Sequence, residues 1–357
     1  MNARLQALRG ALEQRGFDGF VSICPPDNQY LTGFQGSTSG VIVGPETALF
    51  LCDFRYAEQA LDQVSGSYSV QEFKGNLATR LAEKARDAGM RNAAFEPAVT
   101  SVAELSQMES VAQGVFKPAP GLLSKLRQVK DDGEIERVRA AQRLTCEVMA
   151  EVTEAIELGI TERQLAASIE YAMKRRGASG AAFDTIALFG SRSSLPHGQP
   201  GEKLLEEGDV VLLDFGCRLD GYCADLTRTY AFGTIPGTWF EEVYDLVLTA
   251  QRIALEAVRP GMTARELDAD ARDLINEAGH GDRFRHGLGH GVGIEVHEGP
   301  RLNSESEAIL EPGMVITIEP GIYLPGRGGV RIEDLVVVTQ DGCENLTVLS
   351  KEMKVLV

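Results

Sequence analysis

The fold of this chain is indicated by the stretch Gly313-Met314-Val315-Ile316-Thr317-Ile318-Glu319-Pro320-Gly321, because an earlier stretch repeats its pattern. The earlier stretch reads Gly208-Asp209-Val210-Val211-Leu212-Leu213-Asp214-Phe215-Gly216. In both, a glycine precedes a largely apolar run that ends at an acid, and another glycine follows. Runs of this length between glycines predict interior strands. The acid at the end of each strand is costly to bury unless it is paired or binds a cation.

The repeat extends on both sides of these strands. Residues 221–225 and 329–333 each run from a glycine to a second acid, Asp225 and Glu333. Upstream, residues 159–165 match residues 261–267, and both contain the Thr-x-x-Gln/Glu pattern of a helix start. The sequence therefore predicts two copies of a helix–helix–hairpin unit, related by a pseudo-twofold axis at which the four acids meet.

Length and composition describe an ordinary globular protein. A chain of 357 residues has room for two domains and a sizeable core. Its net charge of −17 argues against nucleic acid or an anionic membrane as a partner and is typical of a solvated acidic surface. Residues 1–20 lack the apolar core of a signal peptide, and no run reaches transmembrane length. The six cysteines lack metal-type spacing and are expected to be buried, reduced thiols, which predicts a cytoplasmic protein.

The N-terminal part alternates short strands and helices, which indicates a small α/β domain. Strands are predicted at residues 19–23, 39–43, 48–52, 68–73 and 92–95, and helices at 3–15, 56–63, 77–88 and 101–111. Pro25-Pro26-Asp27 is expected to end the first strand. The Pro- and Gly-rich residues 117–121 are the predicted linker, and a long helical stretch over residues 125–156 follows. The expected domains are residues 1–122 and 123–357.

The histidines concentrate in one glycine-rich segment. His280, His286, His290 and His297 all lie within it, and only His197 lies elsewhere. Glycine lets the backbone approach a site closely. Several histidines in such a segment, in a chain that repeats paired acids, indicate a metal or catalytic site. His280, between two glycines, is interpreted as a loop residue.

Five motifs carry a resemblance to a known family. They are Gly287-Leu288-Gly289-His290-Gly291-Val292-Gly293 with His297-Glu298, Ile318-Glu319-Pro320-Gly321-Ile322-Tyr323, Val330-Arg331-Ile332-Glu333-Asp334, Leu213-Asp214-Phe215-Gly216, and Asp225-Leu226-Thr227-Arg228-Thr229. Together they resemble the methionine aminopeptidase/prolidase superfamily over nearly the whole chain. The resemblance implies an α/β (α+β) "pita-bread" catalytic domain of two pseudo-symmetric halves. Asp53-Phe54-Arg55-Tyr56 resembles the creatinase-like N-terminal domain of proline-specific members, which methionine aminopeptidases generally lack.

The resemblance implies a dinuclear metal site with the ligands Asp214, Asp225, His290, Glu319 and Glu333. Asp225 and Glu333 would bridge two divalent ions, which such sites hold about 3.5–4 Å apart. Four carboxylates and one imidazole suit Mn²⁺, although Co²⁺, Zn²⁺ and Fe²⁺ also bind such sets. The ions are expected to supply a bridging hydroxide that attacks the peptide carbonyl, with Glu333 also as proton acceptor.

Other residues match the family's substrate side. His297 and His197 resemble catalytic histidines, although His197 also fits a turn residue after a proline. His286, Tyr323 and Arg331 match pocket positions of the proline-specific branch. His286 fits simple packing equally well, and Arg331 either pairs with a substrate carboxylate or orients a ligand. The family usually has smaller residues where Leu188-Phe189 stand here, which could alter substrate preference if these side chains line the pocket.

The expected function is hydrolysis of the bond between an N-terminal residue and proline. A prolidase acts on dipeptides, and an aminopeptidase P also acts on longer peptides. The alternatives are methionine aminopeptidase specificity, a non-peptide hydrolase and a binding module without catalysis. The resemblance also implies a homodimer in which the N-terminal domain of one chain helps to close the partner's active site.

Overall fold

The computed structural model describes residues 2–357, and the chain divides into two compact units after Arg127. Each unit has a hydrophobic core of its own. No helix within residues 2–357 combines the length and the apolar character that crossing a membrane requires. The cysteines are buried, apart from the partly exposed Cys343, as the sequence predicts.

The first unit is a mixed α/β domain. Its helices are α1 Ala3–Gln14, α2 Pro25–Thr32, α3 Ala57–Gln63, α4 Leu77–Asp87, α5 Val102–Val111 and α6 Leu122–Gln128, which ends at the division. Its strands are β1 Gly19–Ser22, β2 Ser39–Val43, β3 Ala48–Cys52, β4 Ser69–Glu72, β5 Ala93–Phe95 and β6 Phe116–Pro118. They form one sheet in the order β4-β3-β2-β1-β5-β6, with β2 antiparallel to both its neighbours and the other pairs parallel. The predicted α/β class of this domain is confirmed.

Three features of this region differ from the sequence-based expectation. Pro25 and Pro26 follow β1, as expected, but they also begin α2, which tolerates proline in its first turn because no N–H is needed there. The expected linker is partly a strand, since Lys117 and Pro118 belong to β6 at the sheet edge. The expected long helix is interrupted, because Asp131 starts a new helix with a capping box.

The second unit holds the repeat. Its helices are α7 Asp132–Glu154, α8 Glu162–Arg175, α9 Thr238–Ala257 and α10 Ala264–Glu277. Its strands are β7 Gly180–Ala181, β8 Ile186–Phe189, β9 Val210–Asp214, β10 Cys217–Leu219, β11 Tyr222–Cys223, β12 Thr227–Phe232, β13 Gly289–Gly291, β14 Glu298–Leu302, β15 Val315–Ile318, β16 Gly321–Leu324, β17 Gly328–Arg331, β18 Asp334–Val338, β19 Cys343–Asn345 and β20 Val355–Leu356.

The two halves have matching architecture, as predicted. Helices α7 and α8 share a core with the sheet β20-β12-β9-β8, and α9 and α10 share a core with the sheet β14-β13-β15-β18-β19. Thr161 and Thr263 cap α8 and α10, each with the predicted capping box. The apolar runs are the buried strands β9 and β15, paired antiparallel with β12 and β18.

This architecture brings the repeated acids together. Asp214 ends β9, Asp225 lies two residues before β12, Glu319 follows β15, and Glu333 immediately precedes β18. The two hairpins touch here, since the Glu333 N–H donates to the carbonyl oxygen of Thr227 at 3.2 Å. We call Asp214, Asp225, Glu319 and Glu333 the acid cluster.

A buried ion pair fastens the hairpins behind the acid cluster. Arg228 on β12 and Asp334 on β18 are both 1% exposed, and Arg228 Nη2 donates to Asp334 Oδ1 at 2.8 Å. Arg228 Nη1 also donates to the carbonyl oxygens of Thr227 and Glu333. The backbone on both sides of the acid cluster is therefore held by one guanidinium group.

Candidate metal centre

Asp214, Asp225 and Glu333 form the centre of the site. One carboxylate oxygen from each lies within 4.8 Å of the other two. His290 Nε2 lies 3.6 Å from Asp225 Oδ2 and 3.4 Å from Glu319 Oε1. The structure thus brings together the five residues that the sequence predicts as ligands, three from one half of the unit and two from the other.

Two glycines allow the strands to approach this closely. A Cβ on Gly216 would lie 1.7 Å from the carbonyl oxygen of Ala224, between the two aspartates in sequence. A Cβ on Gly289 would lie 2.1 Å from the carbonyl oxygen of Thr317, beside His290. Any larger residue at either position would separate segments that carry the predicted ligands.

Without a bound cation, keeping the carboxylates of the acid cluster ionised is electrostatically costly. Burial and repulsion by its acidic neighbours raise the pKa values of Asp225 and Glu333, and burial raises the pKa of Glu319 to about 8. A bound cation favours the ionised carboxylates and so removes this cost. Burial lowers the pKa of His290 to about 4. Its imidazole is therefore neutral near pH 7, the form that binds metals.

Two buried carboxylate oxygens without a hydrogen-bond partner in the described part of the chain indicate that a metal ion fits this site. Asp214 Oδ1 and Glu333 Oε1 are buried and have no hydrogen-bond partner within residues 2–357. The other oxygen of each carboxylate is held, because Arg331 Nη2 donates to Asp214 Oδ2 at 2.5 Å and Thr227 Oγ1 donates to Glu333 Oε2 at 2.8 Å. Buried polar atoms rarely lack a partner. The oxygen-rich donor set with one neutral imidazole fits a divalent cation such as Mn²⁺.

Arg331, Tyr323 and His286 form a chain of contacts beside Asp214. Arg331 is 2% exposed, and its Nη1 donates to the Tyr323 hydroxyl at 2.7 Å. That hydroxyl lies 2.9 Å from His286 Nε2. The Arg331 Nε donates to Thr227 Oγ1, so each guanidinium nitrogen already has a protein partner. Of the two alternatives for Arg331, this arrangement favours orienting a ligand over pairing with a substrate carboxylate.

His297 and His197 lie on the accessible side. The His297 ring packs edge-on against His290, with centroids 4.4 Å apart. Both His297 and His197 are exposed to solvent. Burial and the charge of His197 lower the pKa of His297, and burial lowers the pKa of His286 to about 3, with smaller contributions from the charges of Arg331 and His197. His197 is therefore close enough to affect both His286 and His297, whereas His280 lies in the loop after α10, as predicted.

Buried acids hold the two histidine loops. Glu162 at the start of α8 accepts hydrogen bonds from the backbone N–H groups of Phe189 and Gly201, which flank the loop that carries His197. In the other half, Arg272 is paired with Asp268 and donates to the His286 carbonyl oxygen at 2.7 Å. These contacts fix loops that have little regular structure.

Leu188 and Phe189 point in different directions. Phe189 is fully buried in the core shared with α7 and α8. Leu188 packs with Ile186 and Leu212, and its Cδ1 would lie 2.7 Å from a Cβ on Gly198. Side chains alternate along a strand, so Leu212 shares a face with Asp214. Leu188, rather than Phe189, therefore lies on the site's side of the sheet.

Three residues near the site carry no role in the sequence-based prediction. Arg301 lies opposite His290 on the neighbouring strand, and its charge lowers the pKa of His297. Thr227 and Thr317 are fully buried and contact the acid cluster. Thr317 could have been identified from the sequence, because it is a polar residue inside the apolar run of β15. A buried hydroxyl requires a hydrogen-bond partner, which here is in the site.

Comparison with known proteins supports the same family over the whole chain. Residues 136–340 match metallopeptidase family M24, and residues 4–129 match the creatinase/prolidase N-terminal domain. An Xaa-Pro dipeptidase of Pyrococcus furiosus is 38% identical over 356 residues, which cover 99% of this chain and 100% of the relative.

Solved structures agree with this. An Xaa-Pro dipeptidase from Bacillus anthracis superposes with a TM-score of 0.95 at 38% identity, over 99% of each chain. An X-Pro aminopeptidase from Thermotoga maritima gives a TM-score of 0.89 at 37% identity, over 97% of this chain and 99% of that chain. The predicted creatinase-like domain followed by a pita-bread domain is confirmed. The protein is therefore a peptidase that belongs to metallopeptidase family M24.

Proposed function

We propose that this peptidase hydrolyses the bond between an N-terminal residue and proline, and that two divalent ions bind at the acid cluster. Membership of the family implies divalent metal ions. The observation that carries the proposal is the convergence of Asp214, Asp225, His290, Glu319 and Glu333 around two unpartnered buried oxygens. The proline specificity is supported by the names of the relatives that align over nearly the whole chain.

The ions, when bound, supply positive charge that polarises the scissile carbonyl and makes hydroxide available near neutral pH. The chain's own residues handle the protons. Glu333, a predicted ligand of the ions, is also expected to accept a proton from the attacking water, while Thr227 holds its Oε2 in place. The proline nitrogen has no hydrogen in the peptide bond, so it must gain a proton to leave as an amine. Glu333 can return the same proton as the carbon–nitrogen bond breaks.

Two histidines complete the substrate side. His297 is exposed and packs against the predicted ligand His290, and His197, also exposed, is close enough to act on His297 by its charge, so we expect both rings to be available to a peptide. Neutral imidazole N–H groups stabilise negative charge as it develops on the carbonyl oxygen. His286 and Tyr323 are expected to line the substrate pocket, and the tyrosine hydroxyl is held between His286 and Arg331.

Arg301 bears on the choice between dipeptides and longer peptides. It is exposed, and it lies across the strand pair from His290. A dipeptide carries its carboxylate on the proline itself, close to the scissile bond, and a guanidinium binds a carboxylate well. This placement favours dipeptides as substrates.

The test uses purified protein stripped of metal and reloaded with Mn²⁺, on an Xaa-Pro dipeptide, an Xaa-Pro-Yaa tripeptide and a Met-Ala peptide. We expect cleavage of the dipeptide and its loss in Asp225→Asn. Arg301→Gln should raise KM for the dipeptide with little change in kcat, whereas Arg285→Gln, at another exposed arginine, should change neither. Equal cleavage of the tripeptide would indicate an aminopeptidase P, and preference for Met-Ala or silence on all three would refute the proline-specific proposal.

The remaining expectations belong to the same proposal. They are manganese as the preferred metal, a homodimer, a cytoplasmic location and domains at residues 1–122 and 123–357. The buried cysteines are compatible with a reducing compartment.

A further inference from the structure

We infer that Thr227 and Thr317 are positioning residues of the metal centre: the hydroxyl of Thr317 joins His290 directly to Glu319, and the hydroxyl of Thr227 joins Glu333 to Arg331, which in turn holds Asp214. This inference rests on the ligand assignment proposed above. Both threonines are fully buried. Neither contributes an atom to the predicted ligand set, so they act through the residues that they contact.

Thr227 joins Glu333 to Asp214. Its hydroxyl accepts a hydrogen bond from Arg331 Nε at 3.0 Å, and Arg331 Nη2 donates to Asp214. A guanidinium can only donate and an ionised carboxylate can only accept, so the single hydroxyl proton must point to Glu333 Oε2. The free oxygens, Glu333 Oε1 and Asp214 Oδ1, are thereby left to the ions.

Thr317 joins Glu319 to His290 in the same way. Its hydroxyl accepts from the backbone N–H of His290 at 3.0 Å and donates to Glu319 Oε1 at 3.2 Å. A backbone N–H has no other role in a hydrogen bond than to donate, so the direction of the proton is again determined.

The repeat argues that Thr317 serves the site rather than the fold. Gly208–Gly216 and Gly313–Gly321 align residue by residue, and Thr317 corresponds to Leu212. The first sheet forms the same antiparallel pairing with leucine at that position. A hydroxyl is present only in the copy that has His290 and Glu319 to hold.

Thr229 provides a matched control for Thr227. It lies on the same strand and face, it is equally buried, and its hydroxyl also donates one hydrogen bond and accepts one. Both of its partners are backbone atoms of Arg331 rather than a carboxylate. Thr229→Val therefore reproduces the loss of two buried hydrogen bonds without releasing a predicted ligand.

The experiment measures Mn²⁺ binding to the stripped full-length protein by calorimetry. Thr227→Val and Thr317→Val should bind Mn²⁺ roughly 10–100-fold more weakly than wild type, the usual effect of losing such a supporting contact. Thr227→Ser keeps the hydroxyl and should restore affinity, and Thr229→Val should bind as wild type does. Circular dichroism of each stripped variant checks folding. If Thr227→Val does not fold, the smaller Thr227→Ala replaces it.

Asp225→Asn separates the two proposals. If it loses Mn²⁺ while Thr227→Val binds as tightly as Thr229→Val, the threonine role is refuted and the ligand assignment stands. If Asp225→Asn binds Mn²⁺ as wild type does, the ligand assignment fails and the threonine role fails with it.

Discussion

Replacing Asp334 by asparagine should destabilise the second unit strongly while keeping the shape of the side chain. Asp334 Oδ1 accepts from Arg228, and Oδ2 accepts from Gln251 Nε2 at 3.0 Å, Asn345 Nδ2 at 2.9 Å and Lys351 Nζ at 2.5 Å. An amide removes the charge that neutralises two cations. It also turns one acceptor atom into a donor that faces other donors.

The size of the effect follows from the burial of the pair. Breaking a buried ion pair by removing one partner costs about 3–5 kcal/mol, because the other charge stays buried without compensation. For a unit of this size, that loss lowers Tm by about 6–20 °C at ~2–4 °C per kcal/mol. The matched control is Glu344→Gln, which removes a carboxylate from the exposed pair with Arg139 and should cost about 0–1 kcal/mol.

The assay is thermal and urea unfolding followed by circular dichroism. It should be done on metal-free protein, since a ligand bound only to the native state adds stability of its own. If Asp334→Asn unfolds within about 1 kcal/mol of wild type, as Glu344→Gln should, then the pair contributes no more than a surface pair. The reasoning about its burial would then be wrong.

Three further predictions test other parts of the structure. Gly216→Ala should abolish Mn²⁺ binding, because its Cβ would meet a carbonyl oxygen, whereas Gly180→Ala, with open space around it, should bind normally; equal binding by both would contradict this. Tyr68→Phe should leave the free energy of unfolding unchanged or raise it slightly, because the buried Tyr68 hydroxyl has no partner within residues 2–357. Tyr244→Phe should lower the free energy of unfolding by roughly 1 kcal/mol, because it removes a hydrogen bond to a carbonyl oxygen. Burial raises the pKa of Cys223 to about 12, so the thiol stays protonated at pH 8; mass spectrometry should detect alkylation only after unfolding, and labelling of the native protein would refute this.

The repeat made most of the second unit predictable from the sequence. An apolar run that ends at an acid predicts a buried strand. It also predicts that the acid at the end of this strand is paired with a positive charge or a cation. The capping residues Thr161 and Thr263 gave the helix starts directly. The convergence of the five predicted ligands followed from the topology that these elements impose.

Residues whose role depends on distant partners were not predictable. The position of Arg301 depends on the register of β13 and β14, which has an irregularity next to His290. Whether Arg331 binds substrate or orients a ligand depends on which of its guanidinium N–H groups already donate to neighbouring residues. No local sequence pattern encodes these contacts. Helix α2 was missed because proline ends a strand and begins a helix equally well.

The ion pair behind the acid cluster also marks a point at which the two halves of the second unit differ. Arg228 lies opposite Leu213 in one sheet, and Asp334 lies opposite Ile318 in the other. Leu213 and Ile318 are corresponding positions of the repeat, so Arg228 and Asp334 correspond by strand pairing, although the sequence repeat that matches Asp225 with Glu333 is offset from this pairing by two residues. A symmetric dimer of identical halves would place arginine against arginine there, or aspartate against aspartate. Opposite charges at this point of contact therefore need different residues in the two halves, which a single chain that carries both copies provides.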